Sequence, residues 1–149
     1  MQELIVWTIA IALAQEASSE HISSFVYISA AAGFPLLPSR YISTKRDAES
    51  TISSTFPNMR SIFFRPSFLY DSSRSFTIPM AAMTTVASTL NSMTGRRLDW
   101  LMGAGGTKPL KVDLVGEAVV EAIEDNVKGV VEVQEIERLA NKAWRRGML

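Results

Sequence analysis

Three short runs fix what this chain can build: "SFVYISA" at 24–30, "RSIFFRP" at 60–66 and "GVVEVQ" at 129–134. They are rich in β-branched and aromatic residues, as strands buried on both faces are. Segments of helical length separate them. Strands joined by such crossovers pair in parallel, with the helices laid on the sheet faces. The expected order is a helix over 3–17, a strand over 24–30, a helix over 39–55 and a strand over 60–66. A helix over 80–93, a helix over 112–125, a strand over 129–134 and a closing helix over 135–149 follow. Gly33, Pro35 and Pro38 mark a loop, residues 67–79 a polar loop with aromatics, and 103–111 a glycine-rich connection. Three parallel strands rarely stand alone, because both faces and both edges need cover. The pattern therefore reads as half of a doubly wound fold.

At 149 residues the chain has the length of one domain with one sizeable core, so residues 1–149 are expected to form a single domain. Fifteen basic residues balance fifteen acidic ones, so no global field favours nucleic acid or an anionic membrane. With no cysteine, disulfides and thiolate metal sites are excluded; one histidine, His21, excludes a histidine-rich metal site. The apolar run "LIVWTIAIALA", 4–14, is too short to span a bilayer. Its Ala12-Leu13-Ala14 end is of signal-peptidase type, but no basic residue precedes it, so a buried helix is the expectation. On the helix over 112–125, Leu114, Val115, Ala118, Val119, Ala122 and Ile123 form the core side, and Asp113 suits the positive helix start.

The chemistry-bearing pattern lies in "PSRYISTKRDAES", 38–50. Tyr41 and Lys45 are four positions apart and share a helix face. An ammonium beside a phenol favours the phenolate, and a tyrosine so tuned can exchange a proton with a carbonyl or alcohol oxygen. Ser29, at the end of the preceding strand, is the candidate to hold that oxygen. The alternative is that Tyr41 and Lys45 are packing and capping residues of an amphipathic helix. Elsewhere, "MAAM" at 80–83 reads as a packed helix face, Trp100 as cover for a core edge, and Arg96, Arg97, Arg145, Arg146 and His21 as solvated.

"FVYISAAAG", "RYISTKRDAE", "RSIFFRPSFLYD" and "KPLKVDLVGEAVVEAI", in that order, resemble the C-terminal part of the short-chain dehydrogenase/reductase family, in its extended or atypical form. The likeness extends to fungal mitochondrial reductase-like members linked to ubiquinone (coenzyme Q) biosynthesis and to nucleotide-binding accessory subunits of respiratory complex I. It implies a partial doubly wound, Rossmann-like parallel sheet with flanking helices and the N-terminal half absent. It also implies NAD or NADP as cofactor, Tyr41 as acid/base, Lys45 on the ribose, Pro66 and Ser67 near the nicotinamide, and Val112 and Asp113 near the substrate. The partners implied are mitochondrial ubiquinone-biosynthesis or respiratory complex proteins, and the location is mitochondrial. The chain departs from the family in carrying no G-x-x-G-x-x-G turn; "GAGG", 103–106, follows no strand and reads as a loop. Alone it is not expected to hold a dinucleotide tightly. Three functions follow: a truncated reductase-like protein acting in or beside ubiquinone biosynthesis, a non-catalytic scaffold or accessory subunit, and a nucleotide-sugar epimerase or dehydratase.

Overall fold

The computed structural model describes residues 2–31, 39–71, 89 and 109–148. The expectations placed on Gly33, Pro35 and Pro38, on the helix over 80–93 with its "MAAM", on Arg96, Arg97 and Trp100, and on "GAGG" lie outside the described residues.

In chain order the elements are α1 (Gln2–Ser19), β1 (Ser24–Ile28), α2 (Ser39–Thr55), β2 (Arg60–Phe64), β3 (Leu69–Tyr70), β4 (Leu110–Lys111), α3 (Val112–Glu124), β5 (Gly129–Val131) and α4 (Val133–Gly147). Among the described residues the fold is therefore mixed α/β, these four helices lying around a small parallel sheet ordered β1-β2-β5. Ser24 stands opposite Arg60, and Ile62 opposite Gly129. The strands are shorter than the apolar runs: the run at 129–134 passes into α4 at Val133, and the other two leave regular strand geometry while still bonded to each other. Beyond β1 and β2 the chains stay tied, with the Ser29 N–H donating to the Phe64 carbonyl at 2.7 Å and the Ala31 N–H to that of Pro66 at 2.8 Å. A second, two-stranded parallel sheet pairs β3 with β4, Leu69 opposite Leu110. The sequence gives no sign of it, since two residues carry no periodicity.

Alternation along the strands sorts the core into two faces. Ile62, Phe64, Val26 and Val131 meet Val115, Ala118 and Ala122 of α3 and Ile136, Leu139 and Ala140 of α4. Phe63, Phe25 and Tyr27 meet Ile52 of α2 and Ala14 and Ile11 of α1 on the other face. The central strand β2 is buried from Ser61 to Phe64, and its Ile62-Phe63-Phe64 run is apolar because both faces of the strand are covered.

The helix ends follow local chemistry. His21 and Asn126 both take left-handed backbone, φ 56°, and close α1 and α3. In each case the next N–H reaches back five residues, Ile22 to the Ala17 carbonyl and Val127 to that of Ala122, both at 2.9 Å. His21 is exposed, as expected, but it also terminates a helix. Three other expectations are corrected. The α1 helix is not buried all round: Ala10 and Ala14 are covered, while Ile5, Ile9 and Leu13 are 50, 53 and 59% exposed. Ile123 is exposed rather than in the core, and Glu121, 2% exposed, takes an inward position of α3. Arg146 is not merely solvated: it pairs with Glu121 at 2.7 Å and with Glu124, while Lys142 reaches Glu121 at 3.0 Å and Asp125 at 2.5 Å. A buried carboxylate needs such partners, and α4 supplies two. Among the described residues no helix is long and apolar enough to cross a membrane.

Candidate functional site

The candidate residues gather where β1 and β2 end and α2 begins, at the carboxyl end of a parallel sheet, the usual place for a site in open α/β sheets. Tyr41 and Lys45 do share one face of α2, with the Lys45 ammonium 5.8 Å from the Tyr41 ring centroid. It lies closer to Tyr27 of β1, 4.6 Å from that ring, in cation–π range. The same nitrogen donates to the Ile28 carbonyl at 2.8 Å, so it satisfies a main-chain acceptor of β1. Burial pushes the lysine below its ordinary pKa, against the opposing pull of the Glu49 carboxylate. Burial, with the Tyr41 and Glu49 charges adding to it, pushes the Tyr27 phenol up to about 12. The Tyr27 hydroxyl is buried and has no hydrogen-bond partner among the described residues.

Ser29 is buried, and its hydroxyl accepts from Arg46 at 3.0 Å. The other end of the Arg46 guanidinium donates to the Ala30 carbonyl at 2.7 Å. Pro66 and Ser67 lie buried just past β2, and the Pro66 carbonyl is the acceptor for Ala31. The structure thus brings Ser29, Tyr41, Lys45 and Pro66 to one end of the sheet. Val112 and Asp113 start α3, which follows directly on β4.

A second set of charges here has no counterpart in the sequence expectations. Glu49, 5% exposed, lies between two arginines, 2.6 Å from Arg46 and 2.5 Å from Arg65. Arg65 also reaches Glu132, just before α4, at 2.8 Å. Burial alone would raise the Glu49 carboxyl. Hydrogen bonds with Arg65 and Ser29 and the nearby arginine charges outweigh it and hold the group below the ordinary glutamate value. The Glu49 hydrogen bond in turn holds Arg65 protonated above its ordinary pKa. The signal for this cluster was in the sequence: Glu49 falls on the stripe of Lys45, Ala48 and Ile52, the inward face of α2, where an acid needs a cation opposite. Arg65, just past the end of β2, is that cation.

The cluster ties β1, β2, α2 and the start of α4 together. It offers carbonyls, hydroxyls and paired charges, but no group of acids and histidines among the described residues that could hold a metal ion. None of its parts is a phosphate-binding turn, so no step through a dinucleotide is derived.

No family model matches the chain. It is similar to MIOREX complex component 2 of Saccharomyces cerevisiae (strain ATCC 204508 / S288c), 35% identical over 117 residues. The match takes in 76% of this chain and 42% of the yeast protein, so the chain spans under half the length of that curated relative. This corrects the family resemblance drawn from the four sequence segments. The relative is named as a component of a complex, not as a short-chain dehydrogenase/reductase, and no model of that family matches. Oxidoreductase activity, NAD(P) binding and a place in ubiquinone biosynthesis lose their support with it. The physical reason for the error is visible above: a strand–helix–strand unit with an i, i+4 Tyr/Lys pair can be assembled for packing as well as for proton transfer.

Proposed function

We propose that this chain is a non-catalytic accessory component of a multiprotein assembly in mitochondria. Its relative carries the name of a component of the MIOREX complex, which points to a mitochondrial assembly. The observation that carries the reading is the internal satisfaction of the strand-end cluster. Lys45 serves the Ile28 carbonyl, Arg46 the Ala30 carbonyl and Ser29, and Glu49 lies between Arg46 and Arg65. Groups arranged to close a fold's own main chain act as positioning and capping residues, and in this reading Tyr41 and Lys45 belong with them. The parallel β1-β2-β5 sheet with helices on both faces supports its being a portion of a larger doubly wound sheet.

The test is sedimentation. An epitope-tagged chain expressed in yeast should enter mitochondria and travel in a sucrose gradient with a large assembly, and Tyr41→Phe should leave that profile unchanged. Sedimentation as a free 16.4 kDa protein would refute the accessory role. Loss of the assembly in Tyr41→Phe, with melting temperature unchanged, would refute the assignment of Tyr41 as a packing residue.

A further inference from the structure

We infer that the open edge of β1 and the apolar flank of α1 together receive an extended apolar segment as an added strand. Its source is the polypeptide corresponding to the part of the yeast relative that the match leaves uncovered. The inference rests on the reading of the sheet as a portion of a larger one.

Among the described residues β1 has one neighbour, β2, and is an edge of the sheet. The Ser29 N–H points to β2, since it donates to Phe64. Main-chain groups alternate sides along a strand in a parallel ladder, so those of Val26 and Ile28 face the open side. The Ile28 carbonyl is taken by Lys45, which marks where an added strand must end. No charged residue lies on β1, and Ile28 itself is exposed. An edge of this kind pairs with another strand unless something guards it.

The helix above it carries the matching surface. The buried positions of α1, Ala10 and Ala14, pack toward α2 and β1. Ile5, Ile9 and Leu13 recur every four residues on the adjoining flank, all at least half exposed. No charged residue interrupts 5–13. On the same side of the sheet α2 lays Ile52 over β1 and β2; α1 is placed to do the same for β1 and a strand beyond it. An uncharged stripe above an open main-chain edge fits an apolar extended segment better than an acidic peptide or an anionic membrane.

A second copy of the chain does not fit. Edge-to-edge pairing through a two-fold axis sets the two β1 strands about 4.8 Å apart. The two α1 helices, each resting on its own β1, would then be nearly as close, where packed helices need about 8–10 Å. The match to the relative supplies the alternative: 117 residues account for 42% of that protein, leaving more than half its length to furnish strands.

Two measurements test this. The chain is co-expressed with the tagged yeast polypeptide lying outside the matched 117 residues, and capture is followed by size-exclusion chromatography. A one-to-one complex is expected. Ile9→Glu with Leu13→Glu should weaken it about tenfold or more, because burying one such side chain is worth that much. Ile28→Pro, which removes an edge N–H, should do likewise, whereas Val120→Glu, on an exposed apolar position elsewhere, should not. In parallel, amide hydrogen exchange on the chain alone should be fast at Val26 and Ile28 and slow at Tyr27, and the complex should slow the first two. No complex, a complex indifferent to the α1 and β1 substitutions, or protection of Val26 and Ile28 in the isolated chain overturns the inference. So does a homodimer abolished by the same substitutions. Migration with the mitochondrial assembly is read separately, so either proposal can fail without the other.

Discussion

Replacing Glu49 with Gln isolates the charge at the centre of the strand-end cluster. Its side chain is 6% exposed and its two oxygens face Arg46 at 2.6 Å and Arg65 at 2.5 Å. Breaking a buried pair by removing one partner costs roughly 3–5 kcal/mol, because the remaining charge is left buried and uncompensated. Here both arginines keep some contact with water and Arg65 keeps Glu132, so the low end applies, about 3 kcal/mol. For a domain of this size that is a fall in melting temperature of roughly 6–12 °C at pH 7. The folded state holds the Glu49 carboxyl below its unfolded value. The unfolded chain therefore binds a proton first as pH falls, and the stabilisation present above that unfolded value is lost as pH drops through the folded one. The gap between wild type and Glu49→Gln should accordingly narrow toward about pH 3.5, the acid side of an ordinary glutamate. Circular dichroism melts at the two pH values measure this. Equal melting temperatures at pH 7 would refute the cluster as a source of stability; an equal gap at both pH values would show that the contribution is not the charge.

Tyr27→Phe removes a buried hydroxyl that has no partner among the described residues, so it should stabilise by about 1 kcal/mol, read as a melt higher by a few degrees. Because the folded phenol is raised to about 12, its protonated form resists titration, and wild type should lose stability between about pH 10 and 12 by a margin that Tyr27→Phe does not show. Arg146→Ala takes one of two cations from Glu121 and should cost about 1 kcal/mol by urea denaturation, with the difference shrinking in molar salt because Arg146 is half exposed. Phe64→Ala opens a cavity at the fully buried carboxyl end of β2 and should cost about 3–5 kcal/mol by the same assay.

How much of this was legible turns on which patterns are local. The helix over 39–55 was placed to the residue, because its stripe of Ile42, Ala48 and Ile52 runs along one side and a proline follows. The parallel pairing of three strands was legible from helix-length spacing alone. The strand ends were not, since regular strand geometry stops before the bonding does: Ser29 and Ala31 still bond to Phe64 and Pro66 although β1 closes at Ile28. The exposed flank of α1 was misread for a related reason. An evenly apolar helix gives no contrast between faces, so burial was assigned to all of it. At the site, the Tyr41–Lys45 juxtaposition followed from helical spacing, but the bond from Lys45 to the Ile28 carbonyl is tertiary, as is the Glu49–Arg65 pair across α2 and β2. Those contacts bear on whether the pair does chemistry or closes the fold, and spacing is silent on them.

The two faces of the sheet also differ in when they can exist. One is built from residues between Ile11 and Phe63, the other needs partners from Leu110 to Ala140. On a ribosome the α1/α2 side can condense as soon as β2 emerges. Ile62 and Phe64 must then wait, facing outward, while the remainder of the chain is made. Pairing of β2 with β5 closes a span from Ile62 to Gly129, a slow step by its sequence separation. Through that interval the nascent chain presents a bare aromatic and aliphatic surface to whatever is near. Translation speed across the middle of the message, and the chaperones at hand, therefore bear on the yield of this protein.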